Sequence, residues 1–401
     1  MRGTGLLIVM TILSGCTRII EIDRPENEKD EDIWTGPGLI IDGERENILY
    51  VSGLEYPEGY DWKGGGDIEN VRCSLAVFAD GAPMLKIPVG DGHEVSPDPD
   101  MHRIVAGHLY TFFSGDSHTV VKKDGKTLLK YVGKEIIADM IVNDNDIYTL
   151  GIPHSGEGFI YRKNGTSVIE RKTGYAFGRL HIDAGKICFA FCQPVTTSSG
   201  NSDSFYMARN GVTTPVGFSK ETSRVWDLMS HDGQTCALVS AGPWNTMELI
   251  DGEEEKVIIL PYGAEMLSCR LFAAGSSIGT EGLYSYGGDR LFSGIWIDGG
   301  QYMLFETGLT LSAVTASEEE VCCILNPESS GRGMIFKSGR TYMMPEGYSC
   351  IGNNPAAIHE GNLYVGLSSM TGASPIIWKN NRHDTLKFNG PICTINISSP
   401  E

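Results

Sequence analysis

The chain has 401 residues, 50 of them glycine, with 41% hydrophobic and 9% aromatic residues and a formal charge of −19 from 51 acidic and 32 basic side chains. The apolar fraction excludes a disordered chain, the lack of a Gly-X-Y period excludes collagen, and the acidic surplus excludes the basic footprint that a nucleic-acid partner requires. What is left is a turn-rich, all-β protein, long enough for two or three ordinary domains or one repeat assembly.

Residues 1–16 read MRGTGLLIVMTILSGC. Arg2 supplies a positive start, and residues 6–13 form an apolar run too short to span a bilayer. The end of this stretch, Leu13-Ser14-Gly15-Cys16, resembles the lipobox of a bacterial lipoprotein signal peptide. The resemblance implies removal of residues 1–15 and acylation of Cys16 on its thiol and its new amino group, with palmitate as one of the chains. Several acyl chains on one residue anchor a protein stably, where one chain is marginal. An ordinary secretory signal or a buried first strand is the alternative.

Residues 16–35 follow as the lipidated cysteine and an acidic tether, because Glu28-Lys29-Asp30-Glu31-Asp32 and its polar neighbours bury no core. An acidic tract after a lipidated cysteine is similar to the surface-export signal of Bacteroidota lipoproteins, although this one lies further from the cysteine than that pattern places it. The expected location is the outer membrane, exposed at the cell surface, with a periplasm-facing anchor as the alternative.

Residues 36–401 read as one domain built from a repeat. A short apolar strand, a two-residue turn and another strand recur at Asp80-Gly81, Asp124-Gly125, Asn164-Gly165, Asn210-Gly211, Asp251-Gly252, Asp298-Gly299, Ser338-Gly339 and Asn380-Asn381. Asp-Gly and Asn-Gly favour the positive φ angles of the type I′ turns that join tight hairpins. A further apolar strand precedes each hairpin, at 48–51, 109–113, 147–150, 187–191, 236–239, 283–286, 321–325 and 363–367. Before most of these lies one more short strand, so each unit holds four strands at a period of ~40–45 residues.

The body therefore resembles an eight-bladed β-propeller, and the whole chain resembles uncharacterised propeller lipoproteins of the Bacteroidota. Seven blades, or two packed β-domains, are the alternatives. The leftover strand 392–397 is expected to close the ring on the first blade, in competition with 39–41.

No catalytic motif stands out. There is no Gly-x-Ser-x-Gly elbow, Walker loop or His-Glu-x-x-His pattern. The cysteines beyond Cys16 sit among apolar neighbours in expected strands and read as small core residues. Asp91, His93, Glu94, Asp98, Asp100 and His102 would suit a hard cation such as calcium. Their spacing matches no binding loop, however, so neither a metal nor another cofactor is expected. Asn143-Asp144-Asn145-Asp146 reads as a turn between strands. Asp227 is the one channel-side carboxylate that the pattern offers for acid–base work.

The connections between second and third strands are longer than the others and richer in Ser, Gly and Pro, and they all emerge on one face. Functional residues concentrate on long loops held by a rigid scaffold, so this face is the expected binding face. Its candidate ligand-binding residues are Tyr56, Tyr60 and Trp62, beside Glu55, Glu58 and Asp61, and Trp244 beside Asn245. His154, Arg290, Arg332 and Glu328 are polar candidates on neighbouring loops. Flat rings beside carboxylates suit sugars or peptide surfaces. The expected function is a membrane-anchored binding or interaction module for protein or glycan. The alternative is a carbohydrate-active enzyme, a glycoside hydrolase or polysaccharide lyase, with its site at the channel mouth.

Overall fold

The computed structural model describes residues 47–62, 73–89, 94–96, 98, 101–115, 118–133, 135–177, 179–197, 200–218, 224–241, 246–252, 254–260, 264–286, 291–305, 309–327, 332–352 and 355–398. The signal peptide, Cys16, the tether and the competing strand 39–41 lie outside the described residues.

Eight antiparallel sheets follow one another along the chain and form an eight-bladed β-propeller, as the period predicts. From the innermost strand outward, blade 1 is Ile392–Ser398, Ile48–Glu55, Cys73–Ala79 and Ala82–Val89. Blade 2 is His102–Val105, His108–Ser114, His118–Lys123 and Lys126–Val132, and blade 3 is Glu135–Asn143, Asp146–Pro153, Phe159–Lys163 and Thr166–Arg171. Blade 5 is Arg224–His231, Gln234–Ala241, Thr246–Asp251 and Glu254–Ile259, and blade 6 is Ala264–Ala274, Ser277–Tyr286, Leu291–Ile297 and Gly300–Phe305. Blade 7 is Leu309–Ala316, Val321–Pro327, Met334–Lys337 and Arg340–Met343.

In blades 4 and 8 the innermost place is shared by two short strands. Tyr175–Ala176 and His181–Asp183 pair with Lys186–Thr197, and Tyr348–Ser349 and Ala356–His359 pair with Asn362–Ser369. Blade 4 continues outward through Gly200–Arg209 and Val212–Val216, and blade 8 through Ile376–Lys379 and Arg382–Thr385. Innermost strands of neighbouring blades touch at the junctions of blades 1 and 2, 5 and 6, 7 and 8, and 8 and 1.

Each second strand is sandwiched between neighbouring blades and is apolar on both faces, as Leu363, Tyr364, Val365 and Leu367 illustrate. Outermost strands face water and are largely exposed, as in Lys126–Val132. The core is accordingly a series of clusters between blades, such as Leu238, Leu249 and Met266 joining blades 5 and 6. Trp296 and Trp378 are buried in these clusters.

The two-residue turns have the expected geometry, with φ of 48° and 77° at Asp80-Gly81 and 49° and 77° at Asn164-Gly165. Their first residue has a second task. The Oδ1 atoms of Asp80, Asp124, Asn164, Asn210 and Asp298 accept the main-chain N–H of Leu49, Leu109, Ile147, Ile187 and Ile278 at 2.8–3.1 Å. The turn side chain thus satisfies the N–H of the second residue of the second strand, which a Gly-Gly turn would leave bare. Asp144-Asn145 makes the expected turn between the first two strands of blade 3, with φ of 49° and 65°.

Ring closure pairs the chain ends: Ile392–Ser398 runs antiparallel to Ile48–Glu55, from Ile48 opposite Ser398 to Ser52 opposite Thr394. This supplies blade 1 with its innermost strand and closes the ring.

Candidate functional site

Beyond the Gly53–Ile392 pair, the closure ladder continues as single main-chain bonds. Leu54 N–H donates to Pro391 O at 3.0 Å, and Tyr56 N–H donates to Asn389 O at 2.7 Å. The Asn389 amide then donates to Pro57 O at 2.8 Å and to Tyr60 O at 3.2 Å. Gly390 is needed for this approach: its φ is +151°, and a Cβ there would meet the Leu54 carbonyl oxygen at 1.8 Å. The two chain ends, together with the blade 8 loop at 371–374, wall a cleft of about 730 Å³.

Tyr56 stacks on Tyr60 with ring centroids 5.2 Å apart and planes 20° from parallel. Tyr56 is only 7% exposed and belongs to the blade 1 core, where burial pushes its hydroxyl up to about 12. Tyr60 and Trp62 are half-buried; each leans on that core and also lines the cleft. Polar groups surround the rings. Glu55, Glu58, Asp61 and Lys387 line the cleft, and Lys86 Nζ holds Glu55 at 2.9 Å. Rigid apolar faces beside hydrogen-bonding groups are the chemistry of an orienting ligand site.

The other expected site residues lie elsewhere. His154 is exposed on the blade 3 loop, and Arg332 is exposed on the blade 7 loop, where its Nε donates to Met344 O at 2.8 Å. Neither lines the cleft. Trp244, Asn245, Arg290 and Glu328 fall outside the described residues, as do Asp91, His93 and Asp100. Glu94 accepts from His118 Nε2 at 2.8 Å and Lys130 Nζ at 3.1 Å, and these bonds hold its carboxyl below the ordinary range. His102 is no loop residue; it starts the innermost strand of blade 2, buried, with Nε2 on Ser96 O at 2.7 Å. Among the described residues, no group of three or more His, Cys, Asp or Glu is arranged to hold a metal.

Asp227 has a structural task. Its Oδ1 accepts the N–H of Leu228 at 2.9 Å, and its Oδ2 accepts the N–H of Leu271 in blade 6 at 2.8 Å. Asp139 repeats this two blades earlier, accepting from Met140 and from Leu180 in blade 4, both at 2.8 Å. Counted back from the end of the strand that leads into the next turn, Asp139, Arg179, Asp227 and Arg270 hold the same place in blades 3, 4, 5 and 6, so charge alternates from blade to blade here. Burial raises the Asp227 carboxyl, opposed by its two main-chain bonds. Burial, and then Arg179, pull the Arg270 guanidinium down to about 10.

A Ser–His–Asp grouping also occurs between blades 4 and 5, but it is not a nucleophile. His181 Nε2 accepts the Ser230 main-chain N–H at 3.0 Å, while the buried Ser230 hydroxyl donates to Asp183 at 2.5 Å. Activation of a hydroxyl needs the base on that hydroxyl.

The chain matches no protein-family profile and no curated protein sequence. Among solved structures, it is similar to dihydro-heme d1 dehydrogenase NirN in complex with DHE, with a TM-score of 0.51 and 9% identity over 88% of this chain and 75% of that one. It is also similar to the β-propeller domain of the Trilobed protease from Pyrococcus furiosus, with a TM-score of 0.45 and 12% identity over 74% of this chain and 92% of that one. Such likenesses concern the propeller fold alone.

Proposed function

We propose that the protein is a lipid-anchored binding module of the cell envelope, and that a glycan docks in the cleft where the propeller closes. One observation carries this reading: Tyr60 and Trp62 line a cleft of about 730 Å³ together with carboxylate, amide and ammonium groups. Sugar rings bury their CH faces on such platforms while polar neighbours take their hydroxyls. The alternative of a carbohydrate-active enzyme is less favoured. Glycoside hydrolysis needs two carboxylates directed at one bond. Both oxygens of Asp227 are engaged by main-chain N–H groups, and Glu55 is tied to Lys86.

The test is a glycan array probed with wild type and Trp62→Ala. Wild-type signal that Trp62→Ala abolishes is expected. Silence across the array overturns the glycan reading and leaves a protein partner; release of reducing ends would restore the enzyme.

The anchor is proposed on the lipobox Leu13-Ser14-Gly15-Cys16. Palmitate labelling and detergent partition of wild type should both be lost in Cys16→Ala. Protease shaving of intact cells then separates the proposed surface exposure from a periplasmic face.

A further inference from the structure

We infer that the closure cleft opens away from the bilayer that holds the anchor, toward glycans in the surrounding medium and not toward lipid headgroups beneath the protein; this rests on the anchor proposed above. Strand polarity carries it. Strand Ile48–Glu55 begins beside the Asp80-Gly81 turn, where Ile48 lies opposite Ser398 and Asp80 N–H donates to Leu49 O at 2.9 Å. It ends at Glu55, which lines the cleft with Tyr60 and Trp62. The chain therefore enters the propeller at Asn47 on the turn face, and the cleft lies on the loop face. The eight residues of the strand separate these two faces by ~25 Å.

About thirty residues join Cys16 to Asn47, and a polar chain of that length has an r.m.s. reach of ~30 Å. With the turn face toward the bilayer, the tether spans the gap directly. To turn the loop face down, it would have to run outward past strands Cys73–Ala79 and Ala82–Val89, ~10 Å at the spacing of paired strands, and then along the ~25 Å of the blade. That detour alone exceeds the r.m.s. reach, and extending the chain to make it costs conformational entropy. The turns themselves stay out of the hydrocarbon, because they carry Asp80, Asp124, Asp232, Asp298 and Glu360, and burying a carboxylate is expensive. The cleft thus stands a blade's height further from the bilayer than the turn face.

Fluorophores on Glu319→Cys, in the turn between the first two strands of blade 7, and on Ala373→Cys, in the blade 8 loop beside the cleft, report the two faces; both positions are exposed. A Cys269→Ser background keeps other sites unlabelled, since the remaining described cysteines are buried. The purified protein, with its anchor, is added to preformed phosphatidylcholine vesicles that carry an acceptor-labelled lipid. Energy transfer should be at least about twofold stronger from position 319 than from position 373. Equal transfer, or stronger transfer from position 373, overturns the orientation and leaves the anchor standing. Vesicles that capture neither labelled protein overturn the anchor and the orientation together.

Discussion

At the scale of single residues, the buried imidazoles make stability depend on pH. Burial pulls His102 down to about 4, and burial also lowers His181. Below its ordinary value of ~6.5 a histidine in the unfolded chain takes up a proton. Folded His102 does not do so until about pH 4. Stability from His102 is therefore fully present above ~6.5 and is lost as pH falls toward ~4, by about 3 kcal/mol in all. Urea unfolding at neutral pH and near the bottom of that window should show the loss. His102→Gln should show a smaller drop between the two, and an equal drop would assign the acid sensitivity elsewhere. Asp227 belongs to the same scale. Asp227→Ala leaves the N–H groups of Leu228 and Leu271 without their acceptor, and should cost about 1–3 kcal/mol. Glycan affinity should not change, which denaturation and binding measured on one preparation will check.

At the scale of elements, the turn side chain links hairpin to strand. Asn164 combines a φ of 49° with an Oδ1 bond to Ile147 N–H at 2.8 Å. Asn164→Gly keeps the conformational freedom and loses the bond, whereas Asn164→Ala loses both. Alanine should therefore destabilise by about 1–2 kcal/mol and glycine by less. Thermal melts giving the reverse order would remove the conformational part of this account. These turns, and the second strands they brace, were legible in the sequence because their chemistry is local: positive φ favours Asp, Asn or Gly, and a strand buried on both faces is one apolar run. The innermost strands were less legible. They carry Arg224, Asp227 and Arg270 beside apolar residues, and in blades 4 and 8 they are split. The alternating run of Asp139, Arg179, Asp227 and Arg270 over blades 3 to 6 becomes visible only after the innermost strands are aligned on the turns that follow them.

At the scale of the whole molecule, ring closure builds the cleft proposed as the binding site. Half of the cleft was legible, because Tyr56, Tyr60 and Trp62 lie within seven residues of one another. Its other half, Lys387 and Asn389, was not, since Asn389 meets Pro57 from 332 positions away. Deleting the closing strand Ile392–Ser398 should open blade 1 to proteolysis and abolish binding together. Gly390→Ala, which drives a methyl group into the Leu54 carbonyl, should weaken binding with a smaller loss of stability. The most direct measurement is a calorimetric titration of wild type and Trp62→Ala with the best array glycan, accompanied by melting of both proteins. Affinity reduced at least about tenfold in Trp62→Ala, with melting temperatures within a few degrees, is expected for a ring that stacks on the ligand. Equal affinity for the two proteins would contradict the placement of the binding site at the closure cleft.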